Sequence, residues 1–586
     1  MGSALDLLQL LAVAACLPPL LIAPGYAILT ARGVRPADAL VYGPALTIAI
    51  IALVVLAAVA TGLSAAVASW VIVLGLIAVT VVLAVRKAVP RPDRAALRPV
   101  LVMLIAFALL VGFDLVPGNP PFNASIYDSP IPTTNWPVHV ANPRVPSRGG
   151  DHILQFRAEQ VLWHRFVPKK RQFHERWRFG DRPPLVGFVA AGLAGPPGAA
   201  PPVTYPGSPL GPRSGASVHN REPVAGPGTP SAPEPIDAWG FWFYRLVVMA
   251  LSLLVLLPTF RLASDLFSER AATLAVVGAS LAPALMLSAY YTSPKNLSAY
   301  FCMIAVLLVR RGRAVPAGLA VGGAYLCHPM GVFLGGAALV YQAVKSRGAA
   351  LKMGLAILPA IIAWGTYGAV TGASSSLINT PLGCFDVDVT TKACWEQFRH
   401  QGVAVIGWDR FTATISSIAP EGLLSPLRES GYDGARFKWF QIHDYSFAGL
   451  VGLVFFAVAV LGLVRAWARY RLEILTLIGV QVALIVLAWG FDFSFAQIAG
   501  ISLLPLLYVF AGYGLTTLPP LLARFTLGAV ALEGILYFGS LIDPVPGVQT
   551  LAYILMVLIC VAAAGALVFI GFAALRATDQ PASTRA

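Results

Sequence analysis

The sequence predicts an all-α, polytopic membrane protein of about 13–15 transmembrane helices with two extracytoplasmic loop regions. Three observations carry this. Hydrophobic residues make up 57% of the chain and charged ones only 12%, about half the charged share of a soluble domain. The apolar residues gather into runs long enough to cross a bilayer. Outside those runs only two long polar stretches remain, 117–238 and 372–445, which leaves no room for a large soluble enzyme domain.

Taken in order, apolar runs lie near 4–30, 39–61, 66–85 and 98–116. The start, MGSALDLLQLL, has no basic n-region and no small-residue cleavage site, so it reads as a first span and not as a signal peptide. After the first long loop come runs near 239–260, 271–291 and 295–309, two short ones near 314–327 and 330–344, and another at 353–371. The second loop leads to 446–465, 472–490, 495–512, 518–540 and 549–574, and the chain ends in a polar tail, 576–586. The organisation is thus extra N-terminal spans (1–97), a core (98–371) holding the loop 117–238, the second loop (372–445), C-terminal spans (446–575) and the tail.

The formal charge of +14 is read as topology. Arg32 and Arg35, the group from Arg86 to Arg98, Arg261 with Arg270, Arg310 to Arg313, Lys345 to Lys352, and Arg465 to Arg471 all fall in alternate links. The links between them carry almost no cations, with Lys295 at a span edge the exception. By the positive-inside rule the first set is cytoplasmic. The N-terminus and both long loops then lie outside, the tail inside, and the protein in a bacterial inner membrane, given its Ala/Val/Arg/Pro bias. No nucleic-acid motif is present, so that class of partner is set aside; membrane lipid is the expected surrounding.

The six cysteines are scattered. Cys16, Cys302, Cys327 and Cys560 sit in apolar runs as small hydrophobes. Cys384 and Cys394 share the second loop, where pairing and non-pairing both stand open. That loop also mixes Asp386, Asp388, Asp409, Asp433 and Asp444 with Trp395, Trp408 and Trp439, which suits sugar stacking and an interfacial Trp belt equally well. Asn123-Ala124-Ser125 and Asn296-Leu297-Ser298 match the short glycosylation triplet. There is no Cys/His metal spacing, P-loop, nucleophile elbow or dinucleotide fingerprint. No tightly bound cofactor or metal is expected, although an Asp-rich outer face leaves room for a divalent ion.

Chemistry concentrates in 117–193. Between Arg144 and Arg182 ten basic residues face four acids, including Asp151 and Asp181. Such a loop attracts phosphate and lowers the pKa of a nearby carboxyl group; the same cations also suit anionic lipid head groups without further purpose. Residues 195–236 are rich in Pro, Gly and Ser and read as a linker or lid. Glu533 interrupts an apolar run, and an acid inside a span is a functional candidate by default. It would pair with a neighbouring cation or line a substrate cavity.

Asp151, a helical pattern after it, and Asp181-Arg182-Pro183-Pro184-Leu185 some thirty residues on resemble the integral-membrane C-type (GT-C) glycosyltransferases. The likeness is to the branch of protein O-mannosyltransferases and the lipid A aminoarabinose transferase, and it covers roughly residues 98–371. Phe243-Tyr244-Arg245-Leu246, Tyr291-Thr292-Ser293-Pro294-Lys295 and Tyr325-Leu326-Cys327-His328-Pro329 resemble further elements of that family. The resemblance implies a polyprenyl-phosphate-linked sugar as donor and an envelope lipid, glycan or protein as acceptor. Asp151 would be the catalytic carboxylate, with Asp114 the competing candidate. Arg182, Lys295, His328 and Arg245 would hold the donor phosphate, and His152 and Asp181 would lie at the substrate beside Glu533. The chain departs from the pattern in its three extra leading spans, in His152 where an acid often follows the Asp, and in Arg182 where the family has Lys. Arg keeps the cation and adds bidentate geometry. Read from the residues alone, Lys295 also fits a snorkelling lysine and His328 a structural histidine. Two other classes stay open: a transporter or flippase of a lipid-linked or polar substrate, and a non-catalytic envelope-assembly scaffold.

Overall fold

The structure is a computed structural model describing residues 4–63, 65–86, 89–114, 172–174, 177–178, 183–193, 238–290, 294–371, 453–488, 500–541, 550–577 and a few positions from 402 to 411. The described chain is helical apart from one short antiparallel strand pair, β1 (Gln172–His174) with β2 (Trp177–Arg178). It has eight helices long and apolar enough to cross a membrane, nine if one bent pair counts as a span. Three shorter apolar helices, Ala314–Cys327, Gly331–Lys345 and Leu504–Thr517, lie among the described residues, and a multi-pass, all-α membrane protein stands.

Helices α1 (Ala4–Ala31), α2 (Pro36–Thr61), α3 (Ala65–Val85) and α4 (Arg94–Asp114) form the first group. Helices α1 and α2 cross backbone to backbone at glycine: a Cβ on Gly25 would stand 1.9 Å from the carbonyl oxygen of Gly43. Without a hydrophobic drive between helices in lipid, such close approach is what holds spans together. Pro44 and Pro24 interrupt the hydrogen-bond ladders here. The Tyr300 hydroxyl repairs one gap, accepting from Ala45 N at 3.0 Å and donating to Val41 O at 2.8 Å. Thr47 Oγ1 repairs the other, accepting from Gly25 N at 3.0 Å.

Helix α5 (Leu185–Leu193) follows Pro183-Pro184 and is almost wholly buried. Its last turn meets Ile51, Val55 and Ile72, and its Gly192 carbonyl accepts from the Ser69 hydroxyl at 2.8 Å. Helices α6 (Ala238–Leu253) and α7 (Leu256–Leu266) together make the most enclosed span of the bundle. Helices α8 (Glu269–Leu281) and α9 (Pro283–Tyr290) bend by 61° at Ala282. The cause is local: proline pushes the preceding residue extended, and Ala282 sits at φ −72°, ψ 136°.

Next come α10 (Lys295–Arg310), α11 (Ala314–Cys327), α12 (Gly331–Lys345) and α13 (Arg347–Thr371). Helix α14 (Leu453–Glu473) carries a non-helical Tyr470 (φ −122°, ψ 25°), where the chain turns. A π-helical stretch, Ile474–Gly479, leads into α15 (Val480–Ala488). A 3₁₀ turn, Gly500–Leu503, opens α16 (Leu504–Thr517), and α17 (Pro520–Leu541) and α18 (Thr550–Arg576) close the bundle.

One end of this bundle is a charged layer. Asp38 at the start of α2 receives Arg311 at 2.8 Å, Arg35 at 3.0 Å and Arg261 at 3.4 Å. Asp265 pairs with Arg261 at 3.3 Å and Arg311 at 3.4 Å, and Arg311 donates to the Tyr42 hydroxyl at 2.8 Å. Burial works against the Arg311 charge, but Tyr42, Asp38 and Asp265 outweigh it and raise its pKa. Arg98 meets Glu269 at 3.7 Å, and Arg310 meets Glu473 at 2.9 Å. The Tyr470 hydroxyl donates to Leu266 O. The ends of α7, α10 and α14 and the starts of α2, α4 and α8 therefore lie at one level.

Candidate functional site

Measured from that layer at 1.5 Å per residue, several helices stop or break at nearly one height. Helix α8 ends at Leu281 about 18 Å up, and α11 ends at Cys327 about 20 Å up. Helix α16 starts at Leu504, also about 20 Å up, and Glu533 on α17 is at the same height. Helices α2, α4 and α13 run to about 30 Å or more. The interior at this level is lined by chain ends, which bring backbone donors and acceptors where continuous helices would bring none.

Lys295 opens α10 just after Pro294 and is partly exposed. One turn on, the Ser298 hydroxyl donates to Ala324 O at 2.9 Å and reaches His328 O at 3.5 Å. His328 is 2% exposed and caps α11. Its Nδ1 accepts from Met330 N at 3.1 Å, so a neutral ring carries its proton on Nε2 and can offer a donor there. The structure thus brings the helix of Lys295 and His328 together through Ser298. A Cβ on Gly331 would come within 2.8 Å of the Ser298 oxygen, which keeps α12 close against the pair.

Arg245 on α6 is 1% exposed, and its guanidinium lies over the Tyr290 ring at 4.7 Å. A cation is desolvated at a cost that the ring face partly offsets. Tyr290 ends α9, five positions before Lys295, so Arg245 approaches the same chain segment from another side. Glu533 is partly buried on α17, next to Gly534, whose Cβ position is 2.2 Å from Leu281 O. That sets it beside the α8–α9 break. Asp114 is the last residue of α4, which packs against α6 and α9.

Asp151, His152, Asp181 and Arg182 lie outside the described residues, as do Cys384, Cys394 and the carboxylates named in the second loop. The attachment of Arg182 is described one residue later: Pro183 and Pro184 are buried, and α5 touches α2, α3, α6 and α11.

Further buried polar residues lie in the same region. Asn296 is 4% exposed and its Nδ2 donates to Leu285 O at 3.4 Å. Gln481 is fully buried and donates to the Ser502 hydroxyl at 2.7 Å, joining α15 to the 3₁₀ turn ahead of α16. The signal was present for Gln481, a lone amide in an apolar run. The triplet Asn296-Leu297-Ser298 is buried within α10 with both polar side chains engaged, so it is no glycosylation acceptor. Among the described residues no group of three or more His, Cys, Asp or Glu is placed to hold a metal ion.

Compared with models of known families, with curated proteins and with solved structures, the chain matches none.

Proposed function

We propose that this chain is a GT-C-like membrane glycosyltransferase of about 13–15 spans that moves a sugar from a polyprenyl-phosphate donor to an envelope lipid, glycan or protein. The observation that carries the reading is Ser298, one turn after Lys295, reaching Ala324 O and His328 O, with Arg245 over Tyr290, five positions before Lys295, at the end away from the charged layer. Two cations and an imidazole donor suit a lipid phosphate whose tail stays in the bilayer. The charged layer faces the cytoplasm on the positive-inside rule, so this level lies toward the extracytoplasmic side of an inner membrane.

In the proposed reaction Asp151 takes the proton of the acceptor hydroxyl as its oxygen bonds to the anomeric carbon. The bond from that carbon to the phosphate oxygen breaks, and the phosphate leaves with the electron pair. Arg182, Lys295, His328 and Arg245 offset the charge that develops on it. Asp114 is the alternative carboxylate; His152, Asp181 and Glu533 contribute to substrate binding. The proposed reaction needs no tightly bound cofactor.

The test is sugar transfer by purified protein from a panel of polyprenyl-phosphate sugars. Asp151→Asn should abolish transfer while leaving thermal stability unchanged, and unaltered transfer removes the assignment. Arg182→Ala should weaken polyprenyl-phosphate binding measured directly; unchanged binding ends its role.

One observation favours a second reading. Helix ends and breaks gathered at a common depth also mark transporters, where they form substrate sites. A flippase would carry its substrate across proteoliposomes chemically unchanged, whereas the transferase leaves the sugar covalently on an acceptor.

A further inference from the structure

The charged layer holds a second feature, at the turn that Tyr470 makes in the last part of α14. Residues 465–473 read Arg-Ala-Trp-Ala-Arg-Tyr-Arg-Leu-Glu. Val460 and Val464 before the turn and Leu472 and Leu475 within or after it are exposed, as is Trp467 at 47%. Exposed apolar residues on both sides of a turn, with an exposed Trp in it, put that turn at head-group depth.

Its charges are unbalanced. Glu473 is committed to Arg310 at 2.9 Å and to the Tyr341 hydroxyl at 3.1 Å. The Lys345 ammonium stands 4.4 Å from the Tyr341 ring, within electrostatic reach of Arg310 and Glu473. The Arg469 guanidinium stands 5.4 Å from the Tyr470 ring, which feels Arg310 and Glu473 as well. Arg465, Arg469 and Arg471 are all exposed. Among the described residues one carboxylate, already paired, thus sits among five cations. Behind them is a small apolar notch lined by Leu262, Leu266, Leu477 and Phe510.

We propose that the turn 465–473, with Lys345 beside it, binds an anionic phospholipid, its phosphate held by Arg469, Arg471 and Lys345 and its acyl chains laid along Val460, Val464, Leu472 and Leu475. Charge complementarity commits the surface to an anionic head group, and the exposed apolar flanks commit it to a lipid and not to a soluble phosphate. A zwitterionic lipid presents the same tails but no net charge. The site is separate from the glycosyl-transfer reading and stands or falls without it.

The test is native mass spectrometry of the full chain released from nanodiscs of mixed phosphatidylglycerol and phosphatidylcholine. The wild type should retain phosphatidylglycerol preferentially. Lys345→Gln, Arg469→Gln and Arg471→Gln should together remove that preference, each charge being worth on the order of fivefold. Arg469→Lys, which keeps the charge, should restore most of it in the otherwise wild-type chain compared with Arg469→Gln. All three side chains lie at the protein surface, and an unchanged melting temperature in detergent checks that the variants fold. If the triple variant does not fold, Arg471→Glu alone should lower retention. Equal retention of the two lipids by the wild type, or unchanged preference in the variants, overturns the proposal. So does displacement of phosphatidylglycerol by inorganic phosphate alone.

Discussion

Tyr300 shows how one hydroxyl can serve as part of another helix. It occupies the ladder position that Pro44 disturbs, accepting from Ala45 N and donating to Val41 O, and it is fully buried. Tyr300→Phe leaves a buried N–H and a buried carbonyl without that partner, at about 1–3 kcal/mol each. A clear fall in melting temperature in detergent is expected, and an unchanged one would mean that α2 closes its own ladder. Asp38 is the charged counterpart, a carboxylate shared by three arginines. Asp38→Asn should cost about 3–5 kcal/mol, because Arg261 and Arg311 would then crowd Asp265 alone. Raising ionic strength should change this loss little, since the group is 6% exposed and poorly screened.

At the scale of elements, contacts at glycine set where spans touch. A Cβ on Gly462 would stand 1.9 Å from Phe510 O, and one on Gly514 would stand 2.2 Å from Val458 O. Gly462→Val should therefore separate α14 from α16 and reduce recovery of folded protein. Gly354→Ala on α13, with nothing within 4 Å, should be neutral or stabilising by up to about 1 kcal/mol. Equal behaviour of the two, measured by size-exclusion recovery and melting, would remove the packing argument. Such contacts were not legible in the sequence, because a glycine facing a backbone and one facing lipid read alike. Helix positions were legible: the runs near 66–85, 295–309 and 314–327 match α3, α10 and α11 to within a residue or so. Apolar run length is set by the bilayer and needs no tertiary knowledge. The turn at Tyr470 was legible as a basic link, but the helix running through most of it was not, because arginines and alanines are good helix formers in any setting. For the candidate site, Lys295 stood out as a cation at a span edge, and His328 and Arg245 only through motifs that resemble a family, whereas Ser298, whose hydroxyl reaches His328 O, drew notice only as part of a glycosylation triplet.

At the scale of the whole molecule, the arrangement separates two kinds of charge. Around the charged layer arginines meet Asp38, Asp265, Glu269 and Glu473 in pairs that tie six helices at one end. At the other level the Ser298 hydroxyl reaches His328 O, His328 Nδ1 accepts from Met330 N, and Arg245 lies over the Tyr290 ring. The paired layer and the proposed site lie at opposite ends, and that sidedness can be measured. In a cysteine-free background, Ser346→Cys, exposed beside the charged layer, should react with a membrane-impermeant maleimide only after the cells are opened. Leu63→Cys, 45% exposed at the far end of α2, should react in intact spheroplasts. The reverse pattern would put Lys295 and His328 toward the cytoplasm, where a donor sugar handed over at the outer leaflet never arrives. The transferase reading would then fall even with every contact described above intact.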